Sequence, residues 1–442
     1  MITARWYCRV SEKEATKILN HLQEVQFLSY DKIREYQFHK LRKLLEHAHA
    51  HVPYYKKVLK KNGVNPSDIR NFDDFKAYPI LTKEIIRENF DELIAENVPR
   101  NSLIANSTGG STGEPLHFYQ DQQFENWANA GIMRGWYNLA GCEIGDLSGV
   151  LWGAMNEIKT DFSTFERLRA LFKVGEIQLN AFNLSEERKR GFIRWCRVLR
   201  PKLLRGYVTA VKDLAHFIDE NGISFPELKG VILCAETVDE HTQAYIEKVF
   251  KAHSYNTYGG RELSLIGMEC EYKNGLHEVS ENNYVEYENI DLAGYTNAGN
   301  LIITNLNNYA MPFIRYRVGD IGVPGSLRSC GCGRGLPLIR KVIGRTTEVF
   351  IFGDGTKIAG EMFIHLMKDF PISEYQFIQV SDSKITLRLK KSDCVSEDLK
   401  RSMRETYRKY LPDNAKLEFE EVEGFEKTPT GKFRFVRREL SS

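Results

Sequence analysis

Apolar residues at three- and four-residue steps dominate the first part of the chain. Between residues 11 and 62, Leu41, Leu44, Leu45 and Ala48 recur at helical spacing among strong helix formers, which predicts a buried helical stripe. Pro53, in "HVPYYKKVLKKNGV", suits a first helical turn, where its missing N–H is no loss, and so opens a new helix. Leu116, His117, Phe118 and Tyr119 read as a strand. "DQQFENWANAGIMRGWYNLAG" reads as a helix ended by Gly141. The short apolar runs "LSGVLWG" and "LKGVILCAE" follow, with "SEERKRGFIRWCRVL" as a helix between them. Strands alternating with helices predict an α/β architecture on a largely parallel sheet.

The pattern changes near residue 344. "EYQFIQVSD", "KITLRLKK" and "AKLEFEEVE" read as strands, and Ser396 as the N-cap of a helix turning Leu399, Met403 and Tyr407 toward a core. That is enough for a small α+β domain of its own. The expected division is a large N-terminal α/β domain over 1–346 and a small domain over 347–442. Length agrees, since 442 residues exceed the ~250–300 at which one core stops growing.

Composition excludes more than it identifies. The chain is 42% hydrophobic and 27% charged, with 61 basic and 59 acidic side chains and a net charge of +2. Neither nucleic acid nor a membrane surface is favoured by that balance. No apolar run approaches the ~20 residues of a membrane span, and the first twenty residues lack the apolar core of a leader. A cytoplasmic location is expected. Most of the eight cysteines (Cys8, Cys142, Cys196, Cys234, Cys270, Cys330, Cys332 and Cys394) stand singly in apolar surroundings, as buried thiols do in a reducing compartment.

The stretch "NSTGGSTGEPLHF" at 106–118 concentrates hydroxyls and glycines. Such a loop either turns the chain or lets backbone N–H groups crowd around an anion. It is not the P-loop of nucleotide hydrolases, because no Gly-Lys-Ser/Thr follows at the required spacing. "GFEKTPTGKF" fails as well. Alone, the loop decides nothing.

Five later segments follow it in order: "AET" at 235–237, "TYGGRE" at 257–262, "YRVGD" at 316–320, "GRTTE" at 344–348 and "TPTGK" at 428–432. With the loop, and with "VPYY" and "YPILTKE" ahead of it, this series resembles the adenylate-forming (ANL) superfamily, nearest to phenylacetate–CoA ligase-like proteins and their capsule-biosynthesis relatives. The resemblance implies a large adenylation domain and a mobile C-terminal domain that pivots at Glu348. It implies attack of a carboxylic acid on the α-phosphate of Mg-ATP, release of pyrophosphate, and transfer of the acyl group from the adenylate to coenzyme A. Thr108, Gly109, Gly110, Ser111, Thr112 and Gly113 would then wrap the leaving phosphates, and Glu262 would hold Mg²⁺, a hard cation suited to carboxylate oxygen. Tyr258, in the Gly259-Gly260 turn, would cover adenine, with Ala235 and Glu236 beside it. Asp320 would accept the ribose hydroxyls, Arg345 would sit by the ribose and phosphates, and Lys432 would bridge the acid and the α-phosphate. Arg261 departs from the family pattern, since many relatives carry Ser or Thr there. A guanidinium can still contact phosphate or carboxylate, but its length moves the contact.

Cys270 and His277 in "CEYKNGLH", with Cys330 and Cys332 in "CGC", supply three thiolates and an imidazole, a complete tetrahedral zinc set. With no position left for water, such a site is structural, and some phenylacetate–CoA ligase-like proteins carry a metal knot here. Buried thiols without metal are the alternative. His47 and His51 lie one helical turn apart, which a helix end explains without a metal. Two further readings stay open: an adenylate-forming ligase whose acceptor is an amine or hydroxyl, as on a sugar or a coenzyme, and a zinc-stabilised protein whose basic tail "KTPTGKFRFVRR" contacts nucleic acid. The low net charge speaks against the latter. Trp152 in "VLWGAMNE" would line the acid pocket by its place in the family pattern, and an aromatic wall suits a flat or apolar acid.

Overall fold

The computed structural model describes residues 13–108, 115–143, 145–153, 175–325, 330–367, 369–372, 374–391, 395–425 and 435–439. The described residues open with α1 (Lys13–Val25), α2 (Tyr30–His51) and α3 (Pro53–Asn62). The predicted stripe is sealed: Leu41, Leu44, Leu45 and Ala48 all lie in the core that joins α2 and α3 to the large sheet. Pro53 occupies the first turn of α3, and Gly63 ends that helix in the left-handed conformation at φ 64°. His47 is bound through Nε2 to the Tyr309 carbonyl at 2.9 Å, so the histidine pair is part of a helix end.

Eleven described strands form one sheet. Five are parallel: β3 (Ser148–Trp152), β4 (Glu176–Asn180), β5 (Leu203–Tyr207), β6 (Gly230–Cys234) and the start of β7 (Ser254–Gly260). They alternate with α5 (Glu186–Leu199), α6 (Val208–Glu220) and α7 (Glu240–Phe250), whose apolar faces form one core with the strands. The other six are antiparallel: β8 (Ser264–Glu269), β9 (Leu276–Glu278), β10 (Asn283–Asn289), β11 (Gly299–Asn305), β12 (Tyr316–Pro324) and β13 (Leu338–Arg345). The sheet is therefore mixed, not largely parallel. A parallel return needs a crossover of a dozen residues or more, and from Gly260 to Arg345 the described chain carries no helix to make one.

A separate hairpin, β1 (Ile104–Ser107) with β2 (His117–Gln120), flanks the glycine loop. The helix after it also differs from expectation. Its α-helical part, α4, spans Gln122–Met133, and Arg134–Leu139 widen into a π-turn before Gly141. Gly135 there packs so closely on Leu265 and Met268 that a Cβ would lie 2.8 Å from one of them, and Arg134 pairs with buried Glu281. Beyond Arg345 the chain forms a short hairpin, β14 (Val349–Ile351) with β15 (Lys357–Ala359), then α8 (Gly360–Met367). A four-stranded sheet follows, ordered β18 (Lys416–Val422), β17 (Lys384–Lys390), β16 (Tyr375–Ser381), β19 (Val436–Arg438). Helix α9 (Glu397–Arg408) covers it. Ser396 Oγ accepts from the Leu399 N–H at 3.2 Å, and Met403 and Tyr407 are fully buried in this unit's own core.

Candidate active site

Beyond the C-terminal ends of parallel strands lies the usual ligand crevice of an α/β sheet. Ala235 stands there, directly after β6, at φ 64°, a left-handed backbone that a non-glycine residue adopts only when its surroundings hold it. Glu236 turns toward α6, where its carboxylate accepts from the backbone N–H of Thr209 at 2.7 Å and from its hydroxyl at 3.1 Å. It therefore anchors the first turn of that helix.

The next strand brings three predicted residues together. The Tyr258 hydroxyl donates to Asp320 Oδ2 at 2.8 Å, and Arg345 Nε lies 3.5 Å from Asp320 Oδ1. Asp320 and Arg345 are direct partners across the β12–β13 ladder, so backbone pairing sets their contact. Burial pushes the Asp320 carboxyl above its ordinary range, while Arg345 and the Tyr258 hydroxyl pull it down. Burial, then the charge of Asp320, holds the Tyr258 phenol well above its usual value, so the tyrosine remains a donor.

Glu262 follows the Gly259–Gly260 turn between β7 and β8. Gly259 is required there, because a Cβ would come within 2.5 Å of the Ser264 carbonyl. The fully buried Tyr316 donates its hydroxyl to Glu262 Oε1 at 3.3 Å. Tyr316 lies inside the quoted "YRVGD", yet this role could not be read from sequence, since it depends on β12 passing behind the turn. Arg261 is exposed and donates from its guanidinium to the Ser107 carbonyl at 3.4 Å, at the foot of the glycine loop. The neck of that loop is closed by the Thr108 N–H donating to the Leu116 carbonyl and by the Leu116 N–H donating to Thr108 Oγ1, both at 2.9 Å. Gly109, Gly110, Ser111, Thr112, Gly113 and Lys432 lie outside the described residues.

The predicted pivot region is short. Thr346–Glu348 form one 3₁₀ turn, in which the Glu348 carboxylate accepts from the Arg345 N–H at 3.4 Å. Across it, Glu361 of α8 accepts from the Tyr295 hydroxyl at 2.9 Å and pairs with Lys341 of β13 at 2.7 Å. The Ala293 N–H donates to the Lys357 carbonyl at 2.9 Å, which adds a backbone link between the two units.

Cys270, His277, Cys330 and Cys332 converge, with their ligand atoms all within 4.8 Å of one another. Cys270 and Cys330 sulfurs lie 3.7 Å apart, and Cys332 Sγ lies 3.3 Å from His277 Nε2. A tetrahedral ion with metal–sulfur bonds of about 2.3 Å would set its sulfurs about 3.8 Å apart, which the Cys270–Cys330 separation matches, so the donor set suits such an ion. The two cysteine-bearing turns are preformed: the Lys273 N–H donates to the Cys270 carbonyl at 3.1 Å, and the Gly333 N–H to the Cys330 carbonyl at 2.9 Å.

Of the predicted acid-pocket wall, Trp152 is described. It packs on Tyr207 with ring centroids 4.7 Å apart, at the ends of β3 and β5.

Residues 350–439 match the CapK C-terminal domain family. Over 406 residues the chain is 25% identical to Protein CapK of Staphylococcus aureus, covering 87% of this chain and 84% of that protein. It is also 25% identical to a phenylacetate–coenzyme A ligase of Pseudomonas putida, covering 75% of this chain and 74% of that one. In solved structures, 2-hydroxyisobutyryl-CoA ligase in its postadenylation state superposes with a TM-score of 0.73 at 18% identity, covering 94% of this chain and 92% of that one. The fold is that of the adenylate-forming ligases, with a distinct C-terminal domain.

Proposed function

We propose that this chain, a relative of CapK and the phenylacetate–coenzyme A ligases with their adenylate-forming fold, activates a carboxylic acid with ATP and passes the acyl group to coenzyme A. The observation that carries the reading is the Tyr258–Asp320–Arg345 group beside Glu262, with Arg261 bound to Ser107 just ahead of the glycine loop. An aromatic ring, a carboxylate and a guanidinium in one crevice are what adenine, a ribose diol and a phosphate ask for. Phosphoryl chemistry needs positioning and charge neutralisation more than covalent help. In this reading Asp320 accepts the ribose hydroxyls, Tyr258 covers the adenine, and Arg345 lies between ribose and phosphate, with Ala235 and Glu236 at the rim of the pocket. Glu262 would hold Mg²⁺, which when bound neutralises phosphate charge as pyrophosphate leaves. Residues 108–113 surround the leaving phosphates, and Lys432 supplies a point charge at the acid and the α-phosphate. The division falls between residues 346 and 347, with Glu348 at the pivot, and the Cys270–His277–Cys330–Cys332 group holds a structural zinc ion.

The alternative acceptor is an amine or a hydroxyl, as on a sugar or a coenzyme. An amine or hydroxyl acceptor would leave the first half-reaction unchanged. ATP–pyrophosphate exchange with aryl, aliphatic and hydroxy acids tests the shared step, and adding coenzyme A or amines to the active acid then separates the acceptors. Failure of every acid to support exchange refutes the reading.

A further inference from the structure

Asn106, Gln120 and Arg261 form a relay whose middle member is sealed from solvent. Gln120 ends β2, and its Oε1 accepts from Asn106 Nδ2 at 3.1 Å while its Nε2 donates to the Arg261 carbonyl at 2.8 Å. Asn106 Oδ1 in turn accepts from the Ser107 N–H at 2.9 Å. Partner chemistry fixes both amides: the Arg261 carbonyl can only accept and the Ser107 N–H can only donate, so each amide has one satisfactory orientation. The Arg261 guanidinium adds a second link by donating to the Ser107 carbonyl.

The relay joins two different sheets, which also meet where Asn308 Nδ2 donates to the Tyr119 carbonyl at 2.9 Å and where Phe118 packs on Phe313. The β1–β2 hairpin, from which the glycine loop springs, is its own two-stranded sheet, whereas Glu262 sits at a turn of the large sheet. Among the described residues no β-ladder joins the two. The side chain of Gln120 does, by holding the carbonyl of the residue before Glu262. If that contact served packing alone, an apolar side chain of similar shape would serve better, because a buried amide must find partners to offset its desolvation.

We propose that Gln120 is a positioning residue for adenylation. It ties the β1–β2 hairpin, at the neck of the glycine loop, to the Arg261–Glu262 turn, so that both elements can serve the same triphosphate. This rests on the reading of the loop and Glu262 as the phosphate and magnesium sites. Gln120→Leu removes both side-chain links. Gln120→Glu keeps the acceptor for Asn106 but loses the N–H to Arg261.

The test compares half-reactions in the full chain. Misplacement of a reacting group by ~1 Å costs on the order of a hundredfold, so pyrophosphate exchange in Gln120→Leu should fall by roughly that factor. KM for Mg-ATP should rise while KM for the acid holds, and transfer from a presynthesised acyl-adenylate should stay within about threefold of wild type. Gln120→Glu should show the same split. Equal losses in both half-reactions, as a folding defect would give, overturn the inference. So does exchange near the wild-type level in either variant. If the wild-type chain exchanges and Gln120→Leu matches it, only the relay is refuted. If the wild-type chain supports no exchange, the adenylation reading itself falls and the relay's role with it.

Discussion

Replacing Tyr258 by phenylalanine removes one hydroxyl, the one whose hydrogen lies on Asp320 Oδ2 at 2.8 Å, and leaves the ring for adenine. Asp320 is held between opposing influences: burial raises its carboxyl, and Arg345 and the Tyr258 hydroxyl lower it. Only the ionised carboxylate can accept hydrogens from both ribose hydroxyls, so activity on the acid side rises as this proton leaves. A hydrogen bond to a charged group is worth about 1.5–3 kcal/mol. Losing the phenol removes a bond that favours the charged form, so it should raise the Asp320 carboxyl further above its ordinary range. The direction follows from which form the phenol favours. It donates to the carboxylate, so without it the neutral acid persists to higher pH and the acid limb of kcat/KM for ATP moves upward. Just above the wild-type midpoint such a shift costs activity, and well above both midpoints the two enzymes converge. Pyrophosphate exchange at saturating acid, followed from about pH 5 to 9, measures this, with Asp320→Asn as the control lacking the limb. An acid limb that stays in place or moves down in Tyr258→Phe would refute the role given to Asp320.

Wild-type protein made in zinc-replete medium should carry about one zinc per chain, and Cys332→Ser should lower both metal content and melting temperature, because a metal held only by the folded chain stabilises it. Elemental analysis finding no metal in the wild type would remove the zinc assignment. Lys432→Ala should lower pyrophosphate exchange roughly a hundred- to a thousandfold while sparing transfer from a presynthesised acyl-adenylate, as expected for a charge used only in the first transition state. Near-normal exchange in a folded variant counts against it. Glu361→Gln weakens the contacts to Tyr295 and Lys341 that tie the C-terminal unit down, and should speed tryptic cleavage after Arg345. Unchanged cleavage would mean that the Ala293–Lys357 backbone link suffices.

Local signals were legible where one residue type has one physical use. Pro53 could only start a helix, Ser396 capped one, and three cysteines with a histidine at close spacings met at one point. The mixed sheet was hidden because strand runs alone do not reveal direction. The cue was the missing helical period between Gly260 and Arg345. The π-turn at Arg134–Leu139 depends on Glu281 and Leu265, more than a hundred residues away. Glu236 was recognisable as a motif residue, but nothing in "AET" said that its carboxylate would be taken up by Thr209. Gln120 and Tyr316 were missed for a related reason: each looks like an ordinary strand residue until the fold buries it against the site.

The hairpin of β12 and β13 links the parts of the site that sequence motifs treat separately. Tyr316 and Asp320 lie on its first strand, Cys330 and Cys332 in its connection, and Lys341 and Arg345 on its second strand. Its register is not secured by regular pairing, since the ladder is interrupted between Ile321 and Gly322 and again between Val323 and Pro324. A slip of one residue would turn every side chain of a strand to the opposite face, taking Arg345 away from Asp320. The connection is held instead from outside. Cys332 meets His277, the Gly335 N–H donates to the Gln26 carbonyl at 3.0 Å, and Arg334 Nε donates to Gln26 Oε1 at 2.9 Å. Only two residue pairs, Leu338 with His277 and Ile339 with Leu276, join β13 to β9. A metal at His277 would therefore pin the ladder where its backbone pairing is thinnest. Loss of that metal should then be felt at Asp320 and Arg345, in weakened ATP binding, before the C-terminal core gives way.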